Sequence, residues 1–226
     1  MFFHSHPYPP FVKFDTKKLI VGTLPPPRFT TGKLLEKDVD FCYGSYHNSL
    51  WKYIDYIHKL NLRFDNSSEA ILQRKAFLVK HQIGVCDIVE SAKREKIDAS
   101  DLGMIEIRLR DIIGILKKHP NVETLLFIGG NSKNGPEYFF RQHLKEHDLK
   151  LEIVSNEVPR LHQFKLPLST QIDSDGKRTI QTVSLTSSSG AANISIGSSL
   201  LYKQLKRANP QFSTFDYRVM QYKEWL

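Results

Sequence analysis

The chain has 226 residues, 40% of them hydrophobic, enough to supply the core of one α/β domain. No run reaches the about 18 apolar residues of a membrane span, and the start, Met1-Phe2-Phe3-His4-Ser5-His6-Pro7, has neither a basic lead nor a long apolar stretch, so neither a membrane protein nor a signal peptide is expected. Two cysteines, Cys42 and Cys86, are too few for a disulfide framework or a zinc cluster and fit a reducing cytoplasm, while a net charge of +8 favours polyanions, nucleic acid first, against the plainer reading of a basic surface.

Taken in chain order, Leu19–Leu24 is an apolar run that enters Pro25-Pro26-Pro27, which predicts a buried strand with a rigid proline exit. Ser49–Leu60 carries Leu50, Ile54, Ile57 and His58 at helical spacing, and Ser68–Lys80 has the same period. Ile83–Val89 predicts a second strand. Leu102–His119 predicts a helix capped by Asp101 and stopped by Pro120. Thr124–Gly129 reads as a strand, Pro136–His147 as a helix opening on proline, and Leu151–Asn156 as a strand. Phe164–Ile172 and Arg178–Leu185 read as a hairpin around Asp173-Ser174-Asp175-Gly176-Lys177, with Thr182–Thr186 its buried part. Ser198–Asn209 is a helix ending before Pro210, and the aromatic-rich tail with Phe212, Phe215, Tyr217, Tyr222 and Trp225 predicts a docked segment.

Strands alternating with helices imply a three-layer α/β/α sandwich on a mostly parallel sheet of four to five strands. A single domain over 1–226 is expected, with a core at 17–207, an N-terminal arm at 1–16 and the tail at 210–226. Sites in such sheets form at the carboxyl ends of the strands, where Gly22–Pro27, Asp87, Gly129-Gly130-Asn131 and Ser187–Asn193 all fall.

Three segments carry candidate chemistry. Gly22-Thr23-Leu24-Pro25 forms a shelf that can be pressed against a ligand without flexing, or simply a strand exit. Phe41–Trp51 offers stacking faces at Phe41, Tyr43 and Tyr46 and an amide at Asn48 that both donates and accepts; the competing readings are core packing and an N-cap, with Ser49 a rival for the cap. Ser187-Ser188-Ser189-Gly190-Ala191-Ala192-Asn193 has the small residues that let backbone N–H groups approach a phosphate, but no Walker lysine; a plain turn is the alternative. Asp87 interrupts an apolar strand and is read as orienting a loop or capping a helix, with direct catalysis the sharper alternative. His143 and His147, four apart, are read as a solvated helix face rather than a metal site, and His4 and His6 carry no stronger signal.

In this order the segments resemble the uracil-DNA glycosylase superfamily, and within it the hypoxanthine-DNA (deoxyinosine) glycosylase branch. Gly22-Thr23-Leu24-Pro25-Pro26 stands where that branch has a Gly-Ser-x-Pro-Gly-like turn. Tyr43-Gly44-Ser45-Tyr46-His47-Asn48-Ser49-Leu50-Trp51 resembles its aromatic segment ending in Asn-x-Phe-Trp. Gly84–Glu95, Phe127–Asn131 and Leu185–Asn193 resemble its later strand ends and its serine-rich loop. The chain departs from the pattern at Gly22–Pro26, which holds no Asp or Asn where several branches carry their water-activating residue, and at the Ser187 loop, which has no histidine.

The resemblance implies hydrolysis of the N-glycosidic bond of a deaminated base, uracil or hypoxanthine, in DNA. It implies that Asn48 is the catalytic amide, holding the water or the base edge. Gly22, Thr23, Leu24, Pro25, Phe41, Tyr43 and Asp87 would surround the base. Ser187, Ser188, Ser189, Gly190 and Asn193 would grip DNA phosphates, and Ile194 would wedge into the gap in the stack or else lie in the core. DNA containing a damaged base is the expected partner, with no cofactor, metal or membrane, for a cytoplasmic monomer. A non-catalytic nucleic-acid-binding protein on the same fold is the alternative.

Overall fold

A computed structural model describes residues 1–167 and 176–226. The expected hairpin turn at Asp173–Asp175 lies outside the described residues. In chain order the elements are β1 (Phe2–Ser5), β2 (Lys18–Val21), α1 (Pro27–Thr30), α2 (Leu50–His58), α3 (Ser68–Lys80), β3 (Ile83–Val85), β4 (Val89–Arg94) and β5 (Met104–Leu109). There follow α4 (Ile112–Lys118), β6 (Thr124–Ile128), α5 (Pro136–Lys145), β7 (Glu152–Ser155), β8 (Arg160–Pro167), β9 (Lys177–Leu185), α6 (Asn193–Ser198), α7 (Leu200–Ala208) and α8 (Thr214–Lys223).

The main sheet has the order β3-β2-β6-β9-β8-β7. Its first four strands are parallel and the last two antiparallel, so it is larger by one strand than the expected four to five. Along β2 the side chains alternate between its faces. Leu19 and Val21 join one core with Ile113, Leu116, Phe140 and Leu144 of α4 and α5, whereas Ile20 joins the other with Leu50, Trp51, Ile54 and Leu78 of α2 and α3. Both faces are therefore covered by helices, which gives the expected three layers.

Local chemistry sets several boundaries. Ser67 caps α3 by accepting the Ala70 N–H, and Pro136 opens α5 where no N–H is needed. The tail docks as expected. Ser213 and Asp216 form a capping box at the start of α8, which buries Tyr217 and Tyr222.

The stretch Leu102–His119 is not one helix. Ile105, Ile107 and Leu109 alternate with Glu106 and Arg108, a period of two, and β5 pairs with β4. Asp111, not Asp101, caps the helix that follows, accepting the Gly114 N–H. Ile83–Val89 also divides. The Cys86 and Ile88 amides still donate to the carbonyls of Ile20 and Gly22, but at Asp87 the chain turns away and enters a second sheet of order β1-β4-β5. The N-terminal arm supplies β1 of that sheet, antiparallel to β4.

Candidate functional site

The exit of β2 is built around Asp87. The Gly22 N–H donates to Asp87 Oδ1 at 2.8 Å, the Tyr43 hydroxyl donates to the same oxygen at 2.5 Å, and His6 Nε2 lies 2.9 Å from Oδ2. Position 22 requires glycine, because a Cβ there would collide with the Tyr43 hydroxyl and stand 2.9 Å from Asp87 Oδ1. Burial alone would raise the Asp87 carboxyl. The hydrogen bond and charge of His6, with the Tyr43 phenol and the Gly22 amide, outweigh it and hold the group below the ordinary range. Asp87 thus fixes the strand exit and remains ionised. Tyr43 itself takes a left-handed backbone, φ 58°, and its phenol is pushed up by burial and by Asp87.

Asp38 organises the aromatic loop. Its carboxylate takes Arg28 Nε at 2.6 Å and Nη2 at 2.9 Å and accepts the N–H groups of Leu35 and Tyr46. Arg28 also donates to the Ser45 hydroxyl at 2.8 Å. Asn48 comes next. Its Oδ1 accepts the Leu50 N–H at 2.9 Å, so the side-chain carbonyl closes the first turn of α2 while Ser49, at the cap position, makes no side-chain capping bond. Nδ2 has no hydrogen bond among the described residues.

The serine loop meets Asn48 directly. Asn48 and Ser189 form an isolated antiparallel bridge, and the Ser49 N–H donates to the Ser188 carbonyl at 3.1 Å. Arg218 on α8 mounts this loop from behind, donating to the Ser187 and Ser189 carbonyls at 2.8 and 3.0 Å and to Asn193 Oδ1 at 2.8 Å.

Between these parts lies a pocket of about 200 Å³. Gly22–Pro26 form one wall, Tyr43 and Asn48 a second, and Ser187–Ser189 a third, with Asp101 and Ile128 closing it. It is smaller than the ~300–1,000 Å³ of drug-sized sites and suits a single flat ring. A wider cleft of about 850 Å³ shares Ala99, Asp101, Ile128, Ser187 and Ser189 with it and continues past Gly130 to Arg160.

This architecture has a solved counterpart. It is similar to the solution NMR structure of a putative uracil DNA glycosylase from Methanosarcina acetivorans, with a TM-score of 0.51 and 16% identity over 96% of this chain and 98% of that one. The likeness at that identity is one of fold. No protein-family model and no curated protein matches the chain.

Of the expected site residues, Gly22, Thr23, Leu24, Pro25, Tyr43, Asn48, Asp87, Ser187, Ser188 and Ser189 line the pocket. Phe41 does not. It is buried against Phe11 and Trp51, so its ring serves the core and offers no stacking face. Gly190 and Asn193 lie outside the pocket, Asn193 being occupied by Arg218. Ile194 is 86% exposed on the first turn of α6, which removes the core alternative for it.

Two participants escaped the sequence reading. His6 reaches Asp87 from the arm, across a separation of 81 residues that no local pattern reports. Asp101, expected as a helix cap, instead lines the pocket and accepts the Thr23 hydroxyl at 2.9 Å. Burial raises its carboxyl to about 6. Asp87 adds to the rise, and Thr23 and Arg94 oppose it.

His143 and His147 do not form a solvated face, since His143 is buried. Asp111 brings a third donor, all within 4.8 Å. Those donors already serve the fold: His143 Nε2 accepts the Ile113 N–H, and Asp111 caps α4.

Proposed function

We propose that the protein is a DNA glycosylase that hydrolyses the N-glycosidic bond of a deaminated base, uracil or hypoxanthine. The observation that carries this reading is the backbone bridge between Asn48 and Ser189, which seats the Asn48 loop against the serine loop on the lining of a ring-sized pocket that the proline shelf also lines. The fold shared with the Methanosarcina protein supports it. So does the net charge of +8, which suits a polyanionic partner.

The sugar bond of a stacked base is out of reach, so the base must be extruded into the pocket. There Pro25 and Pro26 present a surface that does not flex. Cleavage places negative charge on the leaving base and positive charge on the sugar. The Thr23 and Leu24 amides have no partner among the described residues and line the pocket, and Asn48 Nδ2 is similarly unengaged. Donors of this kind, held in place beforehand, stabilise the departing base. Ser187–Ser189 hold the flanking phosphates, with the Ser187 and Ser188 N–H groups as the donors, since the Ser189 N–H is engaged by Ser187 Oγ at 3.2 Å. Exposed Ile194 enters the vacated stack, as apolar wedges do. Lys203, Lys206 and Arg207 on α7 add backbone contacts.

The test uses labelled oligonucleotides carrying one uracil, hypoxanthine or xanthine, single- and double-stranded, incubated with the protein and then treated with alkali. Strand scission at the modified position supports the glycosylase. Binding without scission supports a non-catalytic nucleic-acid-binding protein on the same fold.

A further inference from the structure

We infer that Asp101 is the group that accepts the proton of the attacking water, while Asn48 serves the leaving base as a donor. The inference rests on the glycosylase reading above and deepens it.

It follows from counting acceptors around the pocket. Water attacking the sugar must give up a proton to a lone pair. Asn48 Oδ1 already accepts the Leu50 N–H, and a neutral amide oxygen is too weak a base to take the proton on its second lone pair, so that side chain serves through its N–H₂ donors. Asp87 accepts three hydrogen bonds, from Gly22, Tyr43 and His6, which hold its carboxyl below the ordinary range and make it the poorer base. Asp101 accepts one hydrogen bond, from Thr23, and has lone pairs to spare on the pocket wall.

The segment bearing Asp101 is anchored on both sides. Buried Arg94 donates to the Ser100 carbonyl at 2.5 Å, and buried Asn134 donates through Nδ2 to the Asp101 carbonyl at 2.9 Å. Its surroundings supply charge of both signs. Thr23 faces it from the exit of β2, Asp87 from the β3–β4 connection and Arg94 from β4, with His4 on β1 bonded to Arg94 and Asp98 3.7 Å from that guanidinium. His47 lies on the pocket lining. A carboxyl raised to about 6 suits a base working near neutral pH.

The step balances as a hydrolysis. The water oxygen bonds to the sugar C1′ as the C1′–N bond breaks, and that bond's electron pair leaves with the base. One water proton passes to the Asp101 carboxylate and the other stays on the new C1′ hydroxyl. Asp101 then returns its proton to the departing base, directly or through solvent, giving an abasic site and a free neutral base.

Single-turnover excision measured from pH 4.5 to 8.5 decides the matter. The wild-type rate should rise with pH and level off above an inflection set by Asp101. Asp101→Asn should lower the plateau by about 10²–10⁴-fold with unchanged DNA affinity and erase the inflection. Thr23→Val, which removes a bond favouring the ionised form, should move the inflection upward, and His47→Gln should leave it in place. Wild-type excision with an unaltered rate and profile in Asp101→Asn, or loss of the inflection in His47→Gln, overturns the assignment of Asp101 and leaves the glycosylase reading standing. Absence of base release by the wild type removes both.

Discussion

Gly22 and Tyr43 meet on one oxygen: the glycine N–H and the tyrosine hydroxyl both donate to Asp87 Oδ1, at 2.8 and 2.5 Å, with no space for a methyl group between them. Gly22→Ala therefore forces the buried phenol and carboxylate apart. It should cost about 1–3 kcal/mol of stability by overpacking, read as a lowered denaturant midpoint, and should slow excision more than it weakens DNA binding. An alanine variant as stable and as active as the wild type would refute this reading of the strand exit.

Asn48 has two separable duties. Asn48→Ala should lower excision about 10²–10³-fold, the usual loss for a donor to developing charge, and should also remove a cap worth ~1 kcal/mol. Asn48→Asp keeps the acceptor for the Leu50 N–H and lacks the N–H₂ donors. It should restore the thermal midpoint without restoring the rate. Recovery of the rate in Asn48→Asp would separate Asn48 from the leaving base.

Arg218 ties the docked tail to the serine loop through two carbonyls and Asn193. Arg218→Ala should destabilise the fold by about 3 kcal/mol, since hydrogen bonds from a charged donor are among the stronger ones, and should weaken DNA binding. Unchanged affinity would show that the Ser187–Ser189 loop is not part of the DNA surface.

Asp38 and Arg28 form an ion pair with the carboxylate fully buried. Burial would raise the Asp38 carboxyl, but the Arg28 hydrogen bond and the Tyr46 and Leu35 amides lower it overall. A lowered folded value means the contribution is complete above the unfolded value of about 3.9 and is lost as pH falls through the folded one. Asp38→Ala should cost about 3–5 kcal/mol at pH 7, and the gap from wild type should narrow toward pH 3. A gap that is constant with pH would show that the ionised form contributes nothing.

Salt dependence reports the phosphate contacts. Each phosphate neutralised should contribute a slope of about −0.9 to the plot of log affinity against log salt on duplex DNA. Charge-removing variants at Lys203, Lys206 and Arg207 should flatten the plot, and a flat plot for the wild type would exclude a DNA groove.

The parallel centre of the fold was legible because its strands are apolar runs and its helices carry a 3.6 period: Leu19–Val21, Thr124–Ile128, Leu50–His58 and Pro136–Lys145 stand where expected. The second sheet was hidden. Its β5 places Glu106 and Arg108 between apolar residues, and helical counting over a longer window absorbed them. The pocket walls were legible as local segments, since the proline exit, the Asn48 loop and the serine loop each have a distinctive composition. Phe41 misled because an aromatic in a loop can equally serve the core, and burial decides that only in three dimensions. Asp101 and His6 act across separations of 78 and 81 residues, where spacing carries no information.

The most direct measurement is the quantity of free base released. Duplexes containing uracil or hypoxanthine, incubated with the protein and analysed by mass spectrometry before any alkali is added, should yield free uracil or hypoxanthine in the same molar amount as abasic sites, with the phosphodiester backbone intact. DNA that is bound by the protein and returned with every base still attached would contradict the account.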